Sequence, residues 1–178
     1  MISLLVVFYL FLALFTIMGA MRGWAKEMLV SFSVVLALAF IVVMENYIPI
    51  INDFLRSHPQ IQIWVRVGVV IVFAFFGYES PRFTRIGKAT EKRERIQDVM
   101  LGAIMGLVSG FMVVGTLWSF MNDAGYPYDY VIPPSAEWPL GEATLRMLKI
   151  LPPVWLGQPP MIFIAMVFAF LFVIVVFV

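Results

Sequence analysis

Five apolar stretches divide the chain: Ile2 to Met21, Met28 to Met44, Ile61 to Tyr78, Val99 to Met121 and Met161 to Val178. Twenty helical residues rise about 30 Å, one hydrocarbon thickness, so the first stretch is long enough to cross a bilayer. It does not read as a cleaved signal peptide, because no basic residue precedes it and its apolar part is too long. The second stretch is slightly short but extendable at both ends. The third carries Gln62 and Arg66 near its start. The fifth runs to the final residue, which points to a continuing tail or to a terminus held by something else. The pattern predicts an all-α, polytopic transmembrane protein of four to five spans. It divides into a four-span unit over 1–121, a Pro/Tyr-rich segment over 122–160 and a last span over 161–178.

The polar intervals predict the orientation. Arg22 and Lys26 lie between the first two stretches, and Arg82, Arg85, Lys88, Lys92, Arg93 and Arg95 between the third and fourth. The interval from Glu45 to Gln60 holds only Arg56, and the long segment after Met121 only Arg146 and Lys149. Basic residues favour the cytoplasmic side, so loops 22–27 and 79–98 are expected there, with the N-terminus and the long segment outside. Trp24, Trp64, Trp118 and Trp155 fall near span ends, the level that suits an apolar ring with an N–H seeking water or headgroups. They are expected to be interfacial anchors.

Two intervals have further pattern. In 79–98, Ser80 and Pro81 suit a helix start, and Glu91 and Arg95 suit a helical ion pair. The six basic residues of this interval suit lipid headgroups or a partner surface. The segment from Asn122 to Pro160 holds eight of the chain's eleven prolines, interleaved with Tyr126, Tyr128, Tyr130 and Trp138. Leu140 to Leu151 within it predicts a short interfacial helix, with Leu145, Leu148 and Leu151 toward the membrane and Glu142, Arg146 and Lys149 away from it.

Composition strengthens the membrane reading. The chain of 178 residues is 62% hydrophobic and 13% charged, with a mean hydropathy of +0.97. Ordinary soluble domains are about 45–50% apolar and about 25% charged. Cysteine is absent and His58 is the lone histidine, which removes thiol chemistry and leaves no basis for a catalytic triad. No phosphate loop, metal-spaced cluster or dinucleotide fingerprint appears. No cofactor is expected, nor any enzyme activity. The apolar stretches contain no carboxylate, so a proton relay is hard to build. Arg66 is expected to snorkel to the outer face, and to mark a channel only if it faces a polar cavity. The net charge of +1 singles out no partner, and nucleic acid is not expected.

Glycine recurs at Gly102, Gly106 and Gly110, four apart, within one stretch. Small residues let helices approach closely in lipid, where no hydrophobic force drives them together. These three glycines, with Ala103 and Ser109 alongside, predict a flat face for another helix of this chain or of a neighbour. Gly19 and Gly23 form a similar notch at the end of the first stretch.

Two motifs carry a resemblance. The stretch IMGAMRGWAKEMLVSFSVVLALAF resembles the signature of the colicin V production protein (CvpA) family, with Gly19, Arg22, Gly23 and Glu27 matching. RIQDVMLGAIMGLVSGFMVVG is similar to that family's second run, with Asp98, Leu101, Gly102, Gly106 and Gly110 matching. The resemblance covers roughly residues 1 to 120. It departs in lacking an acidic residue near the start of the first span, and in Ser109 where an arginine is common. It implies a small bacterial inner-membrane protein without established catalysis, linked to colicin V production and envelope integrity. The partners expected are the lipid bilayer and other membrane subunits, or further copies of the chain. The alternatives are an accessory structural subunit of a larger respiratory or photosynthetic complex, and a small channel or transporter component.

Overall fold

The computed structural model describes residues 3–79, 92–127, 131, 133–137 and 139–177. Among the described residues eight helices follow in order: α1 (Leu4–Arg22), α2 (Trp24–Tyr47), α3 (Pro49–Ser57), α4 (Pro59–Tyr78), α5 (Lys92–Asp123), α6 (Gly141–Leu148), α7 (Pro152–Trp155) and α8 (Met161–Phe177). No strand occurs among the described residues. Four of these helices, α1, α2, α4 and α5, are long and apolar enough to cross a membrane. The 17 residues of α8 rise about 25 Å, short of a full hydrocarbon core.

The long helices that follow one another in the chain run in opposite senses, and side-chain partners give the register. Along α1 and α5, Gly19 meets Gly102 and Gly106, and Phe15 meets Gly106 and Gly110. Further along the same pair, Phe8 stacks on Trp118 with ring centroids 5.1 Å apart. Helix α2 is antiparallel to α4, with Ser33 against Gly77 and Glu45 against Arg66. It is antiparallel to α8 as well, with Phe32 on Phe172 and Tyr47 on Phe163. Relative to α5 it is parallel, because Ser109 meets Glu27 low on the pair, while Asp123 reaches Glu45's partner Arg66 high on it. The α1–α2 turn and the C-terminus of α4 therefore lie at one end, called lower here. The N-terminus, α3, α6 and α7 lie at the other, upper end. Residues 22–27 and 79 lie at the same end, and residues 80–91 of the second expected cytoplasmic loop lie outside the described residues.

Helix α2 is the central element. Val34, Ala37, Leu38, Ala39 and Ile41 are buried along it, and with Val70, Met112, Phe120, Ile162 and Ala169 they make one apolar cluster. The second cluster joins Leu5, Phe8 and Leu12 of α1 to Trp118, Tyr126 and Leu151. The segment after α5 is thus folded onto the upper end of the bundle. Around the outside, Leu10, Leu14 and Ile17 of α1, Phe75 and Phe76 of α4, and Phe168 and Val175 of α8 are exposed. An apolar perimeter of this kind suits lipid, not water.

Three expectations change with the structure. The second apolar stretch is embedded in a 24-residue helix, so Glu27 and Glu45 are carboxylates within a spanning helix. Trp118 is 7% exposed and its indole N–H donates to Tyr126 Oη at 3.3 Å, so it packs inside instead of anchoring at headgroups. In α6 the buried positions are Gly141 and Thr144, while Leu145 is 37% exposed. The helix uses that face, with Leu148 beside it, to cover α1 and the bundle end. Glu142 and Arg146 point away as expected, at 79% and 77% exposed.

Candidate functional site

The lower end gathers residues from four helices. Helix α1 ends at Gly23, whose φ of 89° is accessible to glycine at little strain, and α2 starts at the next residue. That one-residue turn brings Arg22 beside the first turn of α2. Arg22 Nη1 lies 3.0 Å from Glu27 Oε1. Its Nη2 donates to the Tyr78 carbonyl at 3.0 Å, and its guanidinium sits 4.1 Å from the Tyr78 ring centroid. The Tyr78 carbonyl is one of the last four of α4, which lack intrahelical donors. Arg22 therefore caps α4 while neutralising Glu27, and its positive charge suits that helix terminus.

Glu27 has no exposed side-chain surface. Its second oxygen accepts from Ser109 Oγ at 2.6 Å, and the same hydroxyl lies 3.1 Å from the Gly106 carbonyl. A buried carboxylate is tolerable only when both oxygens are satisfied, and an arginine and a hydroxyl do that here. The Tyr78 hydroxyl is buried beside this group with no hydrogen-bond partner among the described residues.

Close backbone contact allows the arrangement. A Cβ at Gly19 would come 2.6 Å from the Gly106 Cα, and one at Gly110 would come 2.6 Å from the Phe15 Cβ. A Cβ at Gly102 or Gly106 would collide with the backbone of α1, at the Gly19 and Phe15 carbonyl oxygens. At Gly23 a Cβ would lie 3.1 Å from Asp98 Oδ2, so the Asp98 carboxylate rests on the turn that starts α2. A negative charge is favoured at such a helix start.

The structure thus brings Gly19, Arg22, Gly23, Glu27, Asp98, Gly102, Gly106 and Gly110 into one junction. Leu101 lies apart, 47% exposed on the perimeter. The glycine face is occupied by a helix of this same chain, which removes it as an argument for a neighbouring subunit. Trp64 and Trp155 are exposed, at 64% and 49%, while Trp24 is half-buried. Lys92, Arg93 and Arg95 lie in the first turns of α5. Arg82, Arg85 and Lys88, together with Ser80, Pro81 and Glu91, lie outside the described residues, as do Tyr128, Tyr130 and Trp138.

A second ionic group closes the upper end. Arg66 grips Glu45 with two bonds, Nε at 2.7 Å and Nη2 at 2.6 Å. Gln62 Nε2 adds a bond to Glu45 at 3.3 Å. Asp123 approaches Arg66 at 3.6 Å, and the Phe120 ring lies 5.4 Å from its guanidinium. Arg66 is 19% exposed and lines a polar cleft, so the expectation of a solitary snorkelling arginine gives way to a paired one. Nearby, burial pushes the Tyr126 phenol above its ordinary range, against the opposing effect of the Trp118 hydrogen bond.

Reading the chain alone missed Ser109 as a ligand of Glu27, the Glu45–Arg66 pair and the Gly77–Ser33 contact. A seam signal was present for Gly77, since it is a glycine in an apolar helix. Nothing local marks Ser109, whose partner is 82 positions away. A scan against protein-family models, a search of curated proteins and a search of solved structures find no match for this chain.

Proposed function

We propose that the chain is a non-catalytic bacterial inner-membrane protein of the colicin V production type, oriented with its lower end in the cytoplasm. It supports toxin production or envelope homeostasis through contacts with other membrane components. One observation carries this reading: the two stretches that bear the resemblance, about 80 positions apart, form a single junction. Arg22 and Glu27 come from one and Ser109 from the other, and Gly19 from one meets Gly102 and Gly106 from the other. A motif pair that closes on itself in space is what a shared architecture requires. Function is argued from that junction, not from the helical fold, which hosts many activities.

Complementation tests the reading. A bacterial strain lacking its own protein of this type should regain colicin V production or envelope resistance to detergent when it expresses the chain. Glu27→Ala should fail to restore either. If the wild-type chain is inserted at normal levels and restores neither, the reading is wrong.

A small transport component is a second reading, favoured by the polar cleft at Arg66. Charged groups inside a membrane often line solute paths. Solute flux into liposomes carrying the wild type or Arg66→Leu tests it, and an absence of flux in both dismisses it.

A further inference from the structure

We propose that the cleft at the upper end of the bundle binds a phosphate-type anion, the chemistry shared by a phospholipid headgroup and free inorganic phosphate. The cleft measures about 180 Å³ and lies where the end of α2, the amphipathic α3 and the start of α4 converge. Its polar lining is Glu45, Asn46, Asn52, Arg56, Gln62 and Arg66, with Leu55 the single apolar member.

The electrostatics of this lining favour an anion. Arg66 and Glu45 neutralise one another through their two-bond pair. Asp123 touches Arg66 but is outside the lining. Arg66, Arg56, Glu45 and Asp123 balance in charge, and Arg56 is the one of the four without an ion pair among the described residues. Neither Arg56 nor Asn46 nor Asn52 has a side-chain hydrogen bond or ion pair among the described residues. One guanidinium and two carboxamides therefore face the same space with donors unused, and the Gln62 amide stands beside them. A tetrahedral phosphate has enough oxygens to accept from all of these, and charge-assisted bonds to arginine are the strong ones. The location fits too, since the cleft opens where the apolar helices end, at headgroup depth.

The inference stands apart from the colicin V reading, because it uses none of the lower junction. The test compares the full-length wild type with Arg56→Gln, and with Asn52→Leu as a second variant. Arg56 is exposed and unpaired among the described residues, so Arg56→Gln should melt like the wild type. Native mass spectrometry in mild detergent would count phosphatidylglycerol molecules retained per chain. Calorimetric titration with inorganic phosphate would measure the soluble anion. Losing one charge-assisted partner should weaken binding about ten-fold. One phosphatidylglycerol retained by the wild type and lost from both variants identifies a lipid site. Phosphate binding that both variants weaken, without lipid retention, identifies a site for a soluble anion. No binding of either probe, or equal binding by wild type and Arg56→Gln, overturns the proposal.

Discussion

Glu27 and Thr116 are both fully buried polar residues, yet they predict opposite responses to substitution. Glu27 has Arg22 and Ser109 as partners. Removing its carboxylate leaves the Arg22 cation without its counter-ion, and the Ser109 hydroxyl with only the Gly106 carbonyl. Glu27→Ala should therefore destabilise the bundle by about 3–5 kcal/mol, read as an earlier thermal transition in detergent. The Thr116 hydroxyl is buried with no partner among the described residues. Thr116→Val keeps the shape and removes an unsatisfied oxygen, whose burial costs about 1–3 kcal/mol. That variant should be as stable as the wild type or more so. A drop of several degrees would mean that an ordered water serves the hydroxyl. Glu27 was visible in the chain as a charged residue at the edge of an apolar run, whereas Thr116 was not singled out. Which of them has a partner was not visible, because that depends on a helix far along the sequence.

Among the helices, the α1–α5 contact is the one most sensitive to added volume. A Cβ at Gly106 would collide with the α1 backbone at Phe15 and Gly19, whereas nothing lies within 4 Å of one at Gly68. Gly106→Leu should therefore separate α1 from α5 and yield little folded protein on a native gel. Gly68→Ala should be neutral, or stabilising by up to about 1 kcal/mol through helix propensity. Equal behaviour of the two variants would show that the seam is not close-packed. The fourfold glycine spacing announced a packing face, but the identity of its partner was left open between this chain and another. The answer came from the one-residue turn at Gly23, which sends α2 away from α1 and leaves α5 to fill the notch. The amphipathic α3 was missed entirely. Its nine residues are too few to show a clear period, and Pro49 and Pro59 frame it as if it were a loop.

For the whole molecule, the ionic groups close the two ends of an apolar core. Ser109 at one group and Asp123 at the other are separated by about 21 Å along α5, with Met112 and Phe120 buried between them. Orientation can be read by single introduced cysteines, because the native chain has none. Cysteines at Asp53 and Glu137, at the upper end, should react with a membrane-impermeant thiol reagent in intact cells. A cysteine at Glu79, at the lower end, should react only after permeabilisation. The reverse labelling would invert the orientation, and labelling of all three in intact cells would refute the span count.

The order of apolar and polar residues sufficed for the membrane-like character and the all-helical class. These follow from local quantities, the length of each apolar run and the charge beside it, and need no partner. The glycines of the lower junction, with Arg22, Glu27 and Asp98, could be named in advance, since they are conspicuous at the edge of a span, but Ser109 as a ligand and Tyr78 could not. Their arrangement could not. Glu27 is a solvated charge or a buried ligand depending on whether Ser109 reaches it, and Trp118 is an anchor or a core residue depending on where Phe8 and Tyr126 fold. Arg66 snorkels or pairs according to the crossing of α2 with α4. Each of these outcomes depends on distances between segments far apart in the chain, which only the packing of the helices sets.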